Sequence, residues 1–310
     1  MKPLTEDQLH FFSREGYLVI EGALDDADLQ PVIDEIDEEI NSLASKLKEQ
    51  GKLSRAYDEY GFETRLAHIS RETDEVARSL WNGTLCGSGI FGLIINPKLL
   101  DVAEQFVGPE IIASSVYRLR PKIPDYGYGA VPWHQDSGYF EPYCDTALVL
   151  TFWIPLIDAT EERGCMWVLP RAHTGKVVQH TVNASHTYLE IPEEVMPPGE
   201  RVILPMKKGD ILLLHNLTPH ASFENRSNIV RWSMDLRYQA ASLPTNAAID
   251  RIEGDSVPDL VNGVPMACYP PEADFLARSA LRPNQVVRDH QKFEKLRREH
   301  ISSPVTSRWS

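Results

Sequence analysis

The segment Ile229–Tyr238 restricts the fold of this chain more than any other stretch of its sequence. From Arg231 onward, polar and apolar residues alternate without a break. Alternation with a period of two is the pattern of an extended strand with one polar and one apolar face, and it does not fit a helix. Arg231, Ser233, Asp235 and Arg237 therefore share one face of a predicted strand.

Several other short segments have the composition of β-strands and are bounded by turn residues. They are Ser114–Leu119, Leu148–Leu156, Cys165–Leu169 and Ile211–Leu214. Many short strands separated by turns are typical of antiparallel sandwiches and jelly rolls. We therefore predict a mainly-β fold.

Helical patterns lie on both sides of the predicted β region. Thr5-Glu6-Asp7-Gln8 is a capping-box pattern, and it opens a short helix that Gly16 ends before a strand at Tyr17–Ile20. A longer helix follows, with apolar residues at spacings of three and four: Leu29, Ile33, Ile36, Ile40, Leu43 and Leu47. We expect this stripe to pack on the protein's own core rather than to form a coiled coil. A charged helix is predicted over Gln285–Ile301.

The chain is predicted to be one domain, because no internal repeat or linker interrupts its 310 residues. The expected division is a helical N-terminal part over about 1–110, a jelly-roll core over about 111–240 and a C-terminal extension over about 241–310. An apolar content of 42% is enough for a substantial core.

The formal net charge of -14 argues against a nucleic-acid partner, because phosphate contacts require clustered Lys and Arg. No apolar run has the length that spans a bilayer, and the first residues do not form the apolar core of a signal peptide. We therefore expect a cytoplasmic protein without a membrane partner. The sequence leaves the oligomeric state open.

Two residues with metal-binding side chains lie two positions apart in Trp133-His134-Gln135-Asp136. On a strand, such positions point to the same side, so His134 and Asp136 can reach one ion. Alone, this pair is a weak signal, and a surface histidine near a turn aspartate is the more common interpretation.

A second imidazole comes from His220, which follows the predicted strand Ile211–Leu214. Two histidines and one carboxylate are the donor set of non-haem Fe(II) oxygenases, which leaves three adjacent coordination positions for a chelating co-substrate and O2. His215 is a rival donor five positions earlier, and at most one of the two is expected to have the required orientation.

Arg231 lies eleven residues after His220, a distance that a hairpin can span. A 2-oxoglutarate molecule bound to iron through its keto-acid end has a distal carboxylate, and a guanidinium can give that carboxylate a two-point contact. The hydroxyl of Ser222 could donate to the same group. Their spacing after a candidate ligand indicates a co-substrate pocket.

Taken in order, these residues resemble the phytanoyl-CoA dioxygenase-like family of Fe(II)/2-oxoglutarate-dependent oxygenases over most of the chain. The matching segments are Leu4–Gln8, Glu15–Val19, Arg120-Pro121, His134–Asp136, Trp153–Leu156, Gly164–His173, His220–Ser222 and Asn225–Ser227 through to Arg231. Each segment alone is unspecific, whereas their order and spacing together are highly specific.

The resemblance implies a double-stranded β-helix (jelly-roll, cupin-like) core with flanking helices. It implies Fe(II) at His134, Asp136 and His220, and so decides against His215. It also implies a 2-oxoglutarate pocket formed by Arg231, Ser222, Gln135 and Trp153, with Arg120 where the family often has a lysine.

Two departures from the family pattern lie in turns beside the core. Arg163 replaces an asparagine, and Arg171-Ala172-His173 replaces Gly-Ser-His. Both concern loop shape more than chemistry. The resemblance also favours hydroxylation over halogenation, because relatives that halogenate have a small residue where this chain has Asp136.

The predicted function is the oxidation, and first of all the hydroxylation, of a small organic substrate with release of succinate and CO2. Alternatives are a non-catalytic metal-containing binding protein and a jelly-roll enzyme that uses Mn(II) or Zn(II). Substrate identity is not readable, but the pocket walls are expected in 52–92, 177–202 and 240–283.

Overall fold

The computed structural model describes residues 2–81, 85–124, 130–140, 142–182, 188–243 and 274–299. Within these residues the architecture is mainly antiparallel β, with a seven-stranded sheet, a four-stranded sheet and a two-stranded ribbon. This arrangement confirms the predicted mainly-β class with helices before and after the core.

The α-helices of the described part are α1 Glu6–Glu15, α2 Asp26–Glu49, α3 Arg65–Ile69, α4 Glu75–Trp81, α5 Ser88–Ile94, α6 Pro97–Val107 and α7 His290–Glu299. The strands are β1 Tyr17–Ile20, β2 Ile111–Ala113, β3 Arg118–Lys122, β4 Val131–His134, β5 Leu150–Pro155, β6 Met166–Val168, β7 Thr181–Val182, β8 Leu189–Glu190, β9 Val202–Leu204, β10 Ile211–His215, β11 His220–Ser222, β12 Arg231–Ala240 and β13 Phe275–Arg278.

The large sheet has the order β1-β10-β5-β12-β2-β13, and β3 pairs with β12 beside that path. The small sheet has the order β4-β11-β6-β9. Strand β12 is the longest, and it begins at Arg231 as the alternating pattern predicted. Its apolar face, which includes Trp232, Met234 and Leu236, is fully buried in the main core. Its polar face points away from this core, and three of its side chains line a cavity.

The N-terminal helices pack on this core as predicted. Helix α1 begins with a complete capping box between Thr5 and Gln8, and it ends at Gly16, whose φ of 80° lies in the left-handed region. In α2 the predicted stripe is buried against the body of the protein, apart from the half-buried Leu43. The carboxylate of Glu35 on α2 accepts hydrogen bonds from the backbone N–H groups of Gly87 and Ile90, and so satisfies the start of α5.

The predicted strand Ser114–Leu119 is wrong, because two strands flank an irregular segment there. The Ser114 hydroxyl accepts a hydrogen bond from the backbone N–H of Val116, and the N–H of Ser115 donates to the Asp274 carboxylate. Side-chain bonds of this kind take backbone groups out of the ladder. The predicted helix Gln285–Ile301 begins at His290 instead, and residues 300–301 lie outside the described part.

In the turn at Arg171, a non-glycine residue adopts a left-handed conformation where the family pattern has a glycine. Arg171 has a φ of 68°, a conformation that costs a non-glycine residue free energy. Its guanidinium donates to both oxygens of Glu15, at 2.9 and 3.1 Å, and its backbone N–H donates to the Glu15 carbonyl. These contacts offset part of the strain and attach the turn to α1.

Candidate active site

One cavity opens between the two sheets and contains about 520 Å³ of space between atoms, counting its mouth. Its walls come from β3, β5 and β12 of the large sheet and from β4, β6 and β11 of the small sheet. The polar face of β12 contributes Arg231, Asp235 and Arg237.

His134, Asp136 and His220 come together at this cavity. Their candidate ligand atoms all lie within 4.8 Å of one another, and all three residues are buried. His134 ends β4 and lies directly opposite His220 on β11, so the ladder itself brings the two imidazoles together. Asp136 begins a 3-10 turn rather than continuing the strand, which differs from the extended geometry expected of the pair.

Backbone carbonyls orient both imidazoles. Nδ1 of His134 lies 2.8 Å from the Pro132 carbonyl, and Nδ1 of His220 lies 2.9 Å from the Thr218 carbonyl. A carbonyl can only accept, so Nδ1 carries the proton and Nε2 presents its lone pair to the cavity. Burial, reinforced by the neighbouring His220, holds the pKa of His134 well below its usual value, which keeps the ring neutral as a metal ligand must be.

The carboxylate of Asp136 is held by a buried arginine that the sequence interpretation did not place in the site. Arg237 donates from Nη2 to Oδ1 at 2.8 Å and from Nε to Oδ2 at 3.2 Å. The Thr151 hydroxyl donates to Oδ2 at 2.5 Å. Burial by itself would raise the pKa of Asp136, but the charge and hydrogen bonds of Arg237 outweigh it and hold that pKa below its ordinary value.

These three side chains fit a divalent metal ion. A carboxylate has about four acceptor positions, and Arg237 and Thr151 use three of them, which leaves one on Oδ1 for a one-point ligand. Two neutral imidazoles and one carboxylate on one side of an ion are the donor set of non-haem Fe(II) sites. The carbonyl and guanidinium contacts are the outer contacts that such ligands usually have.

The rival donor His215 faces another part of the fold. Its ring centroid lies 5.2 Å from that of His173, and its Nδ1 accepts a hydrogen bond from the Leu217 backbone N–H. It lies outside the three-residue cluster found in the described residues. Burial, with a smaller effect of His173, lowers the pKa of His215 to about 4.

This environment predicts a pH dependence of stability. With a pKa of about 4, His215 is neutral in the folded protein down to about pH 4, whereas in the unfolded chain it takes a proton below its ordinary pKa of 6.5. Stability from this residue is therefore complete above pH 6.5 and is lost as the pH falls toward 4, by about 2 kcal/mol between pH 7 and pH 5. In His215→Asn the amide oxygen can replace Nδ1 as acceptor, and urea unfolding in EDTA should show a correspondingly smaller loss. Equal losses in the variant and the wild type would contradict this prediction.

A second cluster in the cavity surrounds Arg231. Its guanidinium carbon lies 5.2 Å from the Trp153 ring centroid, and Nη1 donates to the Ser233 hydroxyl at 2.5 Å. Its Nε is buried without a hydrogen-bond partner among the described residues. Burial lowers the pKa of Arg231 to about 10, so it remains a cation at neutral pH. Ser222 lies nearby and accepts a hydrogen bond from Lys122 at 2.8 Å.

Lys122 is a further cation beside Ser222, and the sequence interpretation did not place it in the site. Its Nζ contacts the Ser222 hydroxyl and the Phe223 carbonyl, and it lies opposite Arg231 in the β3–β12 ladder. Burial, then the charge of Arg231, holds the pKa of Lys122 well below its ordinary value. The two-residue period of β3 puts residues 120 and 122 on one face. The sequence shows both cations at this spacing, so it contained a signal that Lys122 shares the face of Arg120.

Gln135, for which the resemblance implied a place beside 2-oxoglutarate, is not among the described residues that line the cavity. Its side-chain amide donates to the Leu217 carbonyl at 2.8 Å and accepts from the Val178 backbone N–H at 2.9 Å. It is fully buried because it lies between two ligands on a strand-like segment and so points to the opposite side. Its observable function is to fix the loop at 176–178 beside β4.

The segment 52–92, predicted as a pocket wall, contributes Trp81 at the end of α4. Tyr188, in the predicted wall 177–202, makes an edge contact with Trp81 at 6.3 Å between centroids. Of the third predicted wall, 240–283, residues 244–273 lie outside the described part.

Sequence comparison identifies a matching protein family and several relatives of this chain. The family model described as "Phytanoyl-CoA dioxygenase (PhyH)" matches residues 12–233. The peroxisomal phytanoyl-CoA dioxygenase of Homo sapiens is 27% identical over 251 residues, covering 77% of this chain and 69% of that protein. A probable alpha-ketoglutarate-dependent hypophosphite dioxygenase of Stutzerimonas stutzeri is 28% identical, covering 76% and 79%. The 1-deoxypentalenic acid 11-beta-hydroxylase of Streptomyces arenae is 26% identical, covering 77% and 84%.

Solved structures share the fold at lower identity. The epimerase SnoN, in complex with Fe3+, alpha ketoglutarate and nogalamycin RO, has a TM-score of 0.52 at 20% identity and covers 83% of this chain and 93% of its own. The apo form of the non-heme monooxygenase ThoJ has a TM-score of 0.55 at 17% identity and covers 94% and 98%. The family model covers more than two thirds of the 310 residues and includes every residue predicted to bind iron or 2-oxoglutarate. The chain therefore belongs to the phytanoyl-CoA dioxygenase (PhyH) family.

Proposed function

We propose that this protein is a non-haem Fe(II)- and 2-oxoglutarate-dependent dioxygenase that hydroxylates a small organic substrate and releases succinate and CO2. The observation that carries the proposal is the presence of two complementary sites in one cavity. A buried His-Asp-His cluster lies there together with a buried arginine that has an unpartnered Nε. A protein that only binds a metal has no need for such a second, cationic site.

Each residue has a separate role in this proposal. His134, Asp136 and His220 would hold the iron, which when bound supplies oxygen activation and the oxidation of an unreactive C–H bond. Arg231 would bind the distal carboxylate of 2-oxoglutarate, and Ser222 and Lys122 would orient that carboxylate. Trp153 supports the guanidinium through its ring face. Arg237 would keep Asp136 ionised and fixed.

The names of the relatives support a broad substrate class but no particular substrate. The substrates named for three of them are a CoA ester, hypophosphite and 1-deoxypentalenic acid. All three are small molecules that carry negative charge at neutral pH. None of the helices in the described ranges is long and apolar enough to cross a membrane. The cytoplasmic location expected from the sequence is part of the proposal.

The test is an anaerobic titration of Fe(II) and 2-oxoglutarate into metal-free protein, followed by the visible charge-transfer band of the chelate. We expect the band to form in the wild type. In Arg231→Gln, the affinity for 2-oxoglutarate should fall about 10- to 100-fold, since a charge-assisted hydrogen bond contributes about 1.5–3 kcal/mol.

Ser233→Ala is the matched control, because it removes a neighbour of Arg231 and leaves the charge in place. Its band should form at nearly the wild-type concentration of 2-oxoglutarate. Iron binding without any band would reject 2-oxoglutarate as co-substrate. Tighter binding of Mn(II) or Zn(II), with no succinate formed from the iron protein, would favour another metal.

A further inference from the structure

The cavity wall contains a cation that neither the iron cluster nor the Arg231 pocket uses. Arg120 lies on β3 opposite Ser233 of β12 and lines the cavity. Its Nε donates to Oδ2 of Asp235 at 3.1 Å, and its guanidinium carbon lies 5.0 Å from the Trp81 ring centroid. No other hydrogen bond of this guanidinium joins it to the residues that the structure describes.

The contact between Arg120 and Asp235 uses only one nitrogen of the guanidinium and one oxygen of the carboxylate. Oδ1 of Asp235 is buried and has no hydrogen-bond partner within the described ranges, so the pair is a one-point contact rather than a closed fork. The two terminal amino groups of Arg120 therefore remain available. A guanidinium edge with two parallel N–H groups matches a carboxylate or a phosphate.

The charges of the cavity indicate that 2-oxoglutarate does not use this edge. Four cations line the wall, namely Lys122, Arg120, Arg231 and Arg237. Arg237 is paired with Asp136, Lys122 donates to Ser222, and Arg231 lies opposite Lys122 in the β3–β12 ladder. The co-substrate has two carboxylates, one for the metal and one for Arg231. A third carboxylate-binding group requires an anion from another molecule.

Trp81 limits where that molecule can lie. The Trp81 ring packs over Arg120 on one side and makes an edge contact with Tyr188 on the other. An apolar wall beside a guanidinium suits a ligand whose anionic group is attached to a carbon skeleton. A small inorganic anion would leave that wall uncovered.

We propose that Arg120, oriented by Asp235 and backed by Trp81, binds an oxyanion of the primary substrate, either a carboxylate or a phosphate monoester. Arg120 is then a specificity-determining residue rather than part of the 2-oxoglutarate pocket. The assignment of the ligand as the oxidised substrate rests on the proposed function. The existence of an anion site in the cavity does not.

The experiment measures binding without turnover. Protein loaded with Zn(II), with and without saturating 2-oxoglutarate, is titrated with benzoate, cyclohexanecarboxylate and phenyl phosphate, and with the primary amides of the two acids, by ligand-observed NMR. We expect at least one anion to bind better than its neutral counterpart. Arg120→Gln should weaken that binding about 10-fold or more, the effect of about 1.4 kcal/mol. Its affinity for 2-oxoglutarate should change less than about 2-fold.

Two further variants make the result specific. Arg201→Gln is the matched control, because Arg201 also pairs with a carboxylate, Glu193, and lies over a tryptophan ring, Trp133, but does not line the cavity. Its anion binding should equal that of the wild type. Arg120→Lys keeps the charge and loses the fork, so it should lose part of the affinity. This variant decides the question if Arg120→Gln does not fold.

The outcomes separate the two proposals. Amides that bind as well as acids, or anion binding that is unchanged in Arg120→Gln, overturn the Arg120 site. Loss of 2-oxoglutarate affinity in Arg120→Gln also overturns it, and returns Arg120 to the co-substrate pocket. Anion binding that depends on Arg120 in a protein without 2-oxoglutarate affinity would leave the site standing and reject the proposed function. The relative affinities of benzoate and phenyl phosphate identify the kind of oxyanion.

Discussion

Replacing His220 with alanine should reduce the affinity for Fe(II) by more than about 100-fold, since loss of an outer contact to a metal ligand alone costs about 10- to 100-fold. The succinate-forming activity should fall with it to the background. His220 is buried in the His-Asp-His cluster, and among the described residues no imidazole other than that of His134 joins it there. The measurements are Fe(II) binding by competition with a chelator and succinate release per iron.

His215→Ala is the control for this result. His215 lies five residues earlier in the same region and packs beside His173, away from the cluster. Its replacement should leave iron affinity close to that of the wild type. The ligand assignment is wrong if His220→Ala keeps wild-type succinate release, or if His215→Ala loses iron in its place.

Arg237→Met should lower the free energy of unfolding of the metal-free protein by about 3–5 kcal/mol, the usual cost of removing one partner of a buried ion pair. The side chains of Arg237 and Asp136 are only 6% and 3% exposed, so Asp136 would be left as a buried charge without its cation. Arg237 also donates to the Val116 carbonyl at 3.0 Å, which would lose this partner. Urea unfolding in EDTA measures the loss.

The double variant Arg237→Met, Asp136→Asn distinguishes the pair from general damage to packing. It removes both charges, so it should recover a substantial part of the lost stability, and the coupling can be read from the double-mutant cycle. Additive losses in the two single variants would contradict the buried-pair explanation. A second readout is the pH at which the Arg237→Met protein loses bound Zn(II), which should rise because the main group that offsets the burial of Asp136 is gone and the pKa of Asp136 is therefore higher.

Local physical rules were sufficient for much of the fold. The capping box at Thr5 and the apolar stripe of α2 depend on contacts within one or two turns, and both occur as predicted. The alternation after Arg231 indicated both the longest strand and the face on which its charges lie. The family resemblance, carried by order and spacing, was confirmed by the match over residues 12–233. Short-range periodicity and spacing are properties that a sequence contains directly.

Tertiary structure decided which charges meet. The sequence shows Arg120, Lys122, Arg231 and Arg237 as four similar cations, but the partners of Arg120, Lys122 and Arg237 lie 100 to 115 residues away along the chain. Only the register of β3 and β12 puts Lys122 opposite Arg231 and Arg120 opposite Ser233. The contacts of Gln135 with Leu217 and Val178 could not be predicted for a related reason, because local patterns do not show partners that are distant along the chain. Electrostatic energy depends on distance and burial in space, so strand pairing, and not spacing along the chain, determined the role of each buried charge.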